Sequence, residues 1–172
     1  MATIRLPILG VQTIPDSSEN VYIAPINSIL TIGAATRPPG AELAIVMPDP
    51  GAADEGFYGK FSVPKDYVGS PVLVIRGILS GTVGATTLQF GFQKRALADN
   101  EAFDGDYDAE VTAGATTSGW ADEDVYEETI SLTAGDFAVD DDVFFYLYRD
   151  GGTDDWTGTF LCTGVFFEYS DA

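Results

Sequence analysis

The chain reads as an all-β protein, an antiparallel jelly-roll-like β-sandwich with an extended N-terminal arm, on three observations. Apolar residues recur at every second position or in short continuous runs, clusters of Gly, Pro, Asp and Asn end each run, and no stretch sustains a helical period. Strands spaced by roughly ten residues fit a sandwich or jelly roll, and without crossover helices a parallel α/β fold is disfavoured.

In chain order the clear strands are 42–47, 56–63, 72–79, 86–94, 107–112, 127–132, 143–149 and 159–169. In Thr87-Leu-Gln-Phe-Gly-Phe-Gln-Lys94, Leu88, Phe90 and Phe92 alternate with Gln89, Gly91 and Gln93, the pattern of a strand with one face on a core. Val143-Phe-Phe-Tyr-Leu-Tyr148 is apolar on both faces. Such a strand belongs at the centre of its sheet, with its second face under loops, the arm or another subunit. Phe166 and Phe167 repeat the signature in the last strand. Thr133 is placed to cap a single helical turn at Thr133-Ala-Gly-Asp136 that carries the chain between sheets.

A length of 172 residues with 45% hydrophobic content supports one main domain. Residues 1–55 hold seven of the nine prolines and only short apolar pieces such as 4–9 and 26–32. Proline removes ladder donors, so this region reads as edge strands or an arm, and 56–172 as the sandwich. An arm attaches by adding a strand to a neighbouring sheet, which makes Ile4, Arg5, Leu6, Ile8 and Leu9 candidates for a subunit or partner interface. Deletion of residues 2–20 is then expected to leave the sandwich folded.

The charge is extreme: 27 acidic residues against 8 basic ones, no histidine and a net charge of −19. Phosphate and anionic headgroups are repelled, so neither direct nucleic-acid binding nor membrane binding is expected. The apolar run at the N-terminus is too short for a signal peptide and Pro7 interrupts it, so synthesis and folding in the cytoplasm are expected. Most of the acids fall between Asp99 and Asp155, where Arg149 is the only base.

Catalytic chemistry finds little footing. The missing histidine removes the usual triads and the commonest general base. Cys162, the one cysteine, sits in an apolar strand and reads as a core residue. No phosphate loop, dinucleotide fingerprint or nucleophile elbow is present, and no enzyme or cofactor is expected. Asp104, Asp106, Asp108 and Glu110 alternate, but an EF-hand loop begun at Asp104 lacks its glycine at Ala109 and its closing acid at Ala115, so no metal is expected. Asp150-Gly-Gly-Thr-Asp-Asp155 reads as a hairpin turn. Trp120 and Trp156, each near glycine in acidic loops, are suited to stack a sugar, close the end of the core or fill an interface.

Four segments, Phe61-Ser-Val-Pro-Lys-Asp-Tyr-Val-Gly-Ser-Pro-Val-Leu-Val-Ile75, Ile130-Ser-Leu-Thr-Ala-Gly-Asp-Phe-Ala-Val-Asp-Asp142, Tyr148-Arg-Asp-Gly151 and Val165-Phe-Phe-Glu-Tyr-Ser170, carry a resemblance. Together they resemble the C-terminal jelly-roll domains of tailed-phage structural proteins. The resemblance implies a virion component, and among these a capsid decoration (cement) protein suits a small freestanding chain. It further implies a homotrimer on the outer capsid surface that clamps subunits of the major capsid protein. The competing expectation is a glycan-binding module of a phage tail or receptor-binding protein, with Trp120 or Trp156 under the sugar.

Overall fold

The computed structural model describes residues 2–9, 14–15, 21–25 and 43–172. Among these, eleven strands form two antiparallel sheets packed face to face, an all-β jelly-roll-like sandwich. The apolar piece 26–32 lies outside the described residues.

One sheet contains β3 (Tyr22–Pro25), β4 (Leu43–Met47), β11 (Thr159–Asp171), β6 (Tyr67–Ser80) and β9 (Val125–Ser131) in that order. β1 (Thr3–Pro7) joins it beside β11. β11 is the hub: β6 runs along one side, while β4 pairs with Phe160–Cys162 and β1 with Phe166–Ser170 on the other. The second sheet has the order β2 (Ile14–Pro15), β5 (Glu55–Ser62), β10 (Asp142–Arg149), β7 (Thr87–Leu97) and β8 (Val111–Thr116). From β4 to β11 the chain changes sheet at every connection except β7 to β8.

The core follows from side-chain alternation. Leu88, Phe90 and Phe92 of β7 point inward, as do Val143, Phe145 and Leu147 of β10 and Phe57 and Phe61 of β5. They meet Leu73, Ile75, Phe160, Val165 and Phe167 of the facing sheet. A register shift between Cys162 and Gly164 changes which positions of β11 face inward: Phe160 and Cys162 before it, Val165, Phe167 and Tyr169 after it. Phe166 therefore lies on the outer face, with the Arg5 guanidinium 5.4 Å from its ring centroid.

Three local expectations change. The acidic run 104–110 is loop and the strand begins only at Val111; Lys94 and Arg95 tie that loop to β7, with Asp108 N donating to Lys94 O. A 3-10 turn spans Ala134–Asp136, but the Thr133 side chain makes no capping hydrogen bond. Asp150–Asp155 connects β10 to β11 in the opposite sheet and is a crossover rather than a hairpin, closed by the backbone bond from Asp154 N to Asp150 O.

Candidate functional site

The outer face of the second sheet carries an aromatic row that the fold does not spend on its core. β10 is central in that sheet, so Phe144, Tyr146 and Tyr148 project from the middle of its outer surface. Register puts Tyr58 and Gln93 on either side of Tyr146, and Lys60 and Arg95 on either side of Phe144. Tyr58 and Tyr146 stack at 4.6 Å between centroids, 25° from parallel. Tyr146 stacks in turn on Tyr148 at 4.8 Å and 22°.

The two ends of this three-ring stack differ. Tyr148 is buried at 1% exposure, while Tyr58 is 40% exposed. The closed end is built by Gly91, where any Cβ would collide with the Tyr148 ring, and by Glu110, which accepts the Tyr148 hydroxyl's hydrogen bond. Burial, then the hydrogen bond to Glu110, raises the Tyr148 hydroxyl well above the usual tyrosine range. Beside it, desolvation raises the Asp54 carboxyl despite a hydrogen bond from Gly151, and the nearby Asp150 and Glu110 add to the shift.

Loop 98–110 borders the row. Arg95 donates to the carbonyls of Ala102 (3.1 Å) and Asp106 (3.2 Å). Lys94, its side chain only 4% exposed, pairs with Asp108 at 2.5 Å and Asp136 at 2.9 Å. So anchored, the loop sets Phe103, 65% exposed, edge-on to Phe144 at 4.8 Å. Between loop and strand lies an open groove of about 470 Å³ lined by Arg95, Glu101, Asp104, Asp106 and Asp108 among others. At the other flank Lys60 pairs with Asp142 at 2.7 Å and lies 5.0 Å from the Phe144 centroid. The hydrogen bonds from Lys60 and Ser62 hold the Asp142 carboxyl below the usual carboxylate range.

The residues singled out from sequence lie elsewhere. Trp156 is 1% exposed, its Nε1 donating to Thr82 O at 2.9 Å, and it offers no surface to a sugar or a partner. Trp120, 37% exposed, stands in the loop from β8 to β9, edge-on to buried Tyr126 at 5.2 Å. Ile4, Leu6 and Leu9 are partly buried against the chain's own core, and Ile8 is buried in it. Arg5 faces out and pairs with Glu127 at 3.2 Å and Glu168 at 2.9 Å. Among the described residues no three Asp, Glu or Cys side chains converge as a metal cluster.

Sequence reasoning passed over Tyr58, Phe103, Gln93 and Tyr146 as site residues. The signal was the two-faced strand 143–148, whose second set of rings required an explanation outside the core. Chemically the face offers flat apolar ring surface, an uncharged amide, a lysine paired with Asp142 and an arginine hydrogen-bonded to backbone carbonyls, on a stiff ladder.

No protein-family model matches the chain, and no curated protein matches it. Among solved structures, the chain is similar to a xylan-binding module CBM15, with TM-score 0.48 and 12% identity over 99% of this chain and 97% of the other. It is also similar to the CBM22-1 xylan-binding domain from Paenibacillus barcinonensis Xyn10C, with TM-score 0.41 and 13% identity over 98% and 94% of the two chains. A cyclase from Fischerella sp. TAU gives TM-score 0.35 and 9% identity over 99% and 100%. Identities and scores this low carry no ligand and no activity across to this chain.

Proposed function

We propose that this protein is a binding module for a polysaccharide, with Tyr58, Tyr146 and Gln93 as its contact row and Phe103 and Phe144 beside it. The carrying observation is the exposed end of the tyrosine stack on the open face of a sheet, at Tyr58, with an amide two strands away in the same row. A pyranose ring presents an apolar face of C–H groups that packs on an aromatic side chain, while its rim of hydroxyls needs planar donors and acceptors such as Gln93. Adjacent strands hold such groups about 4.8 Å apart, so little ordering cost remains when a chain of sugars binds.

Calorimetric titration with soluble oligosaccharides, chosen by a glycan-array screen, tests the proposal. Tyr58→Ala and Tyr146→Ala are each expected to weaken binding about tenfold or more, as buried aromatic anchors do. Trp120→Ala should leave it unchanged. Full affinity in a folded Tyr58→Ala/Tyr146→Ala double variant would overturn the assignment.

A second reading, a capsid decoration protein bound as a trimer to the major capsid protein on a phage virion, draws on a different surface. Ile23 (49% exposed) and Leu43 (60%) share one face of the paired strands β3 and β4 and Tyr22 (51%) takes the other, with β3 at the edge of its sheet among the described residues. Exposed apolar side chains at a sheet edge favour docking of another protein. Cosedimentation with purified capsids, abolished by Ile23→Glu and Leu43→Glu, supports this reading; a monomer that stays in the supernatant with capsids removes it.

A further inference from the structure

Resting on the polysaccharide-binding reading, we infer that the face selects an uncharged glycan and excludes chains carrying uronate, sulfate or phosphate, because its cations are already committed and its rim is carboxylate. A polyanionic sugar chain is held by lysine and arginine side chains that are free to meet each charge. Here Lys60 is committed to Asp142 at 2.7 Å. The terminal nitrogens of Arg95 are committed to the backbone oxygens of Ala102 and Asp106. Lys94, on the inner side of β7, is buried between Asp108 and Asp136.

What remains open toward a ligand is uncharged or acidic. Gln93 supplies a neutral amide in the tyrosine row. The groove beside it is walled by Glu101, Asp104, Asp106 and Asp108, with Arg95, its terminal nitrogens hydrogen-bonded to the loop, the one base in its lining. The surrounding chain carries a net charge of −19. A uronate approaching within the screening length of about 8 Å at physiological ionic strength meets net repulsion. Once seated, its carboxylate loses hydration with no partner to replace it, which costs several kcal/mol per charge. A neutral hydroxyl rim incurs neither penalty. Selectivity thus comes from tying Lys60 and Lys94 into ion pairs and the terminal nitrogens of Arg95 into hydrogen bonds with its own loop, so that a charged chain is refused while the aromatic contact is left to a neutral one.

The test compares xylohexaose, cellohexaose and mannohexaose with hexagalacturonate, a heparin hexasaccharide and a glucosamine hexasaccharide, each at low and high salt. At least one uncharged hexasaccharide is expected to bind with an affinity that salt does not move. Hexagalacturonate and the heparin fragment should bind at least about a hundredfold more weakly. Asp142→Asn, which releases Lys60, should raise affinity for hexagalacturonate about tenfold. Tight hexagalacturonate binding by the unaltered protein, weakened by salt and by Tyr58→Ala, would overturn the charge selection and leave the polysaccharide reading standing. Salt-sensitive binding of the glucosamine hexasaccharide alone would do the same. Failure of all six to bind would remove both.

Discussion

Arg149 is the single base in the acid-rich stretch 99–155, and its side chain is completely buried. It makes a two-pronged bond to Asp154, 2.9 Å from Nε and 2.8 Å from the second nitrogen, and donates to Pro48 O at 2.6 Å, Gly158 O at 2.7 Å and Trp156 O at 2.6 Å. Asp154 in turn accepts from the backbone N–H groups of Gln89 and Trp156. A planar guanidinium is the side chain that can meet so many acceptors at once, so lysine is no substitute. Arg149→Met is expected to lower the unfolding free energy by about 3–5 kcal/mol, since it strands a buried carboxylate, with urea denaturation as the measurement. Arg149→Lys should recover only part of that loss. The sequence marked Arg149 only as a lone base. Its role depends on carbonyls from 47–48 and 156–158 being brought together by the fold, and no linear pattern records that. Cys162 was more legible: an apolar strand around one thiol implies burial, and burial pushes it up to about 12.

Legibility at the scale of elements depended on whether a strand's neighbours were local. β7 was plain because one clean alternation meets one core. β10 was legible as a central strand and is one, yet the destination of its outer rings was not, because Phe103 reaches Phe144 from a loop some forty residues earlier in the chain. The adjacent Phe166 and Phe167 resembled a second two-faced strand, whereas the register shift after Cys162 separates them into an outer and an inner ring. β1 changes the expectation for the N-terminus. Its backbone forms a ladder with β11, its side chains Ile4 and Leu6 pack against the sandwich's own core, and the adjoining Ile8 is buried in that core. Removing residues 2–20 would therefore unseat core packing as well as any attachment. Ile8→Ala is expected to cost about 2–4 kcal/mol by the cavity it leaves. Arg5→Ala, which breaks solvent-screened pairs, should cost under about 1 kcal/mol, and paired denaturation curves would separate the two.

For the molecule as a whole, charge and tyrosine burial set the limits in pH. Burial, aided by neighbouring carboxylates, raises the hydroxyls of Tyr126, Tyr148 and Tyr169, the last to about 12. A hydroxyl raised in the folded state above its unfolded value of 10.0 contributes stability that is full below that value and declines as pH rises through the folded one. With a net charge of −19 already present, each tyrosinate formed in the unfolded chain draws the equilibrium further toward unfolding. Alkaline titration followed together by far-ultraviolet circular dichroism and tyrosinate absorbance should show these rings ionising with unfolding, and added salt should move the transition to higher pH. Asp142 acts on the acid side. Held low by Lys60 and Ser62, it contributes stability above the ordinary carboxylate range that disappears as pH falls through its folded value.

The hub strand of the first sheet also dictates an order of events during synthesis. β11 spans Thr159–Asp171, yet β1 takes its ladder from it, and β4 and β6 each take one of their two ladders from it, the other coming from β3 and β9. Until those residues have left the ribosome, the N-terminal strand lacks its ladder and β6 can pair on one side only, with β9 over residues 72–78. The nascent chain must keep its apolar faces unsatisfied while more than a hundred and fifty residues accumulate, and then close contacts that span almost the entire sequence. Closing pairings of such sequence separation makes folding slow, and the strongly acidic composition doubles as protection against aggregation during the wait.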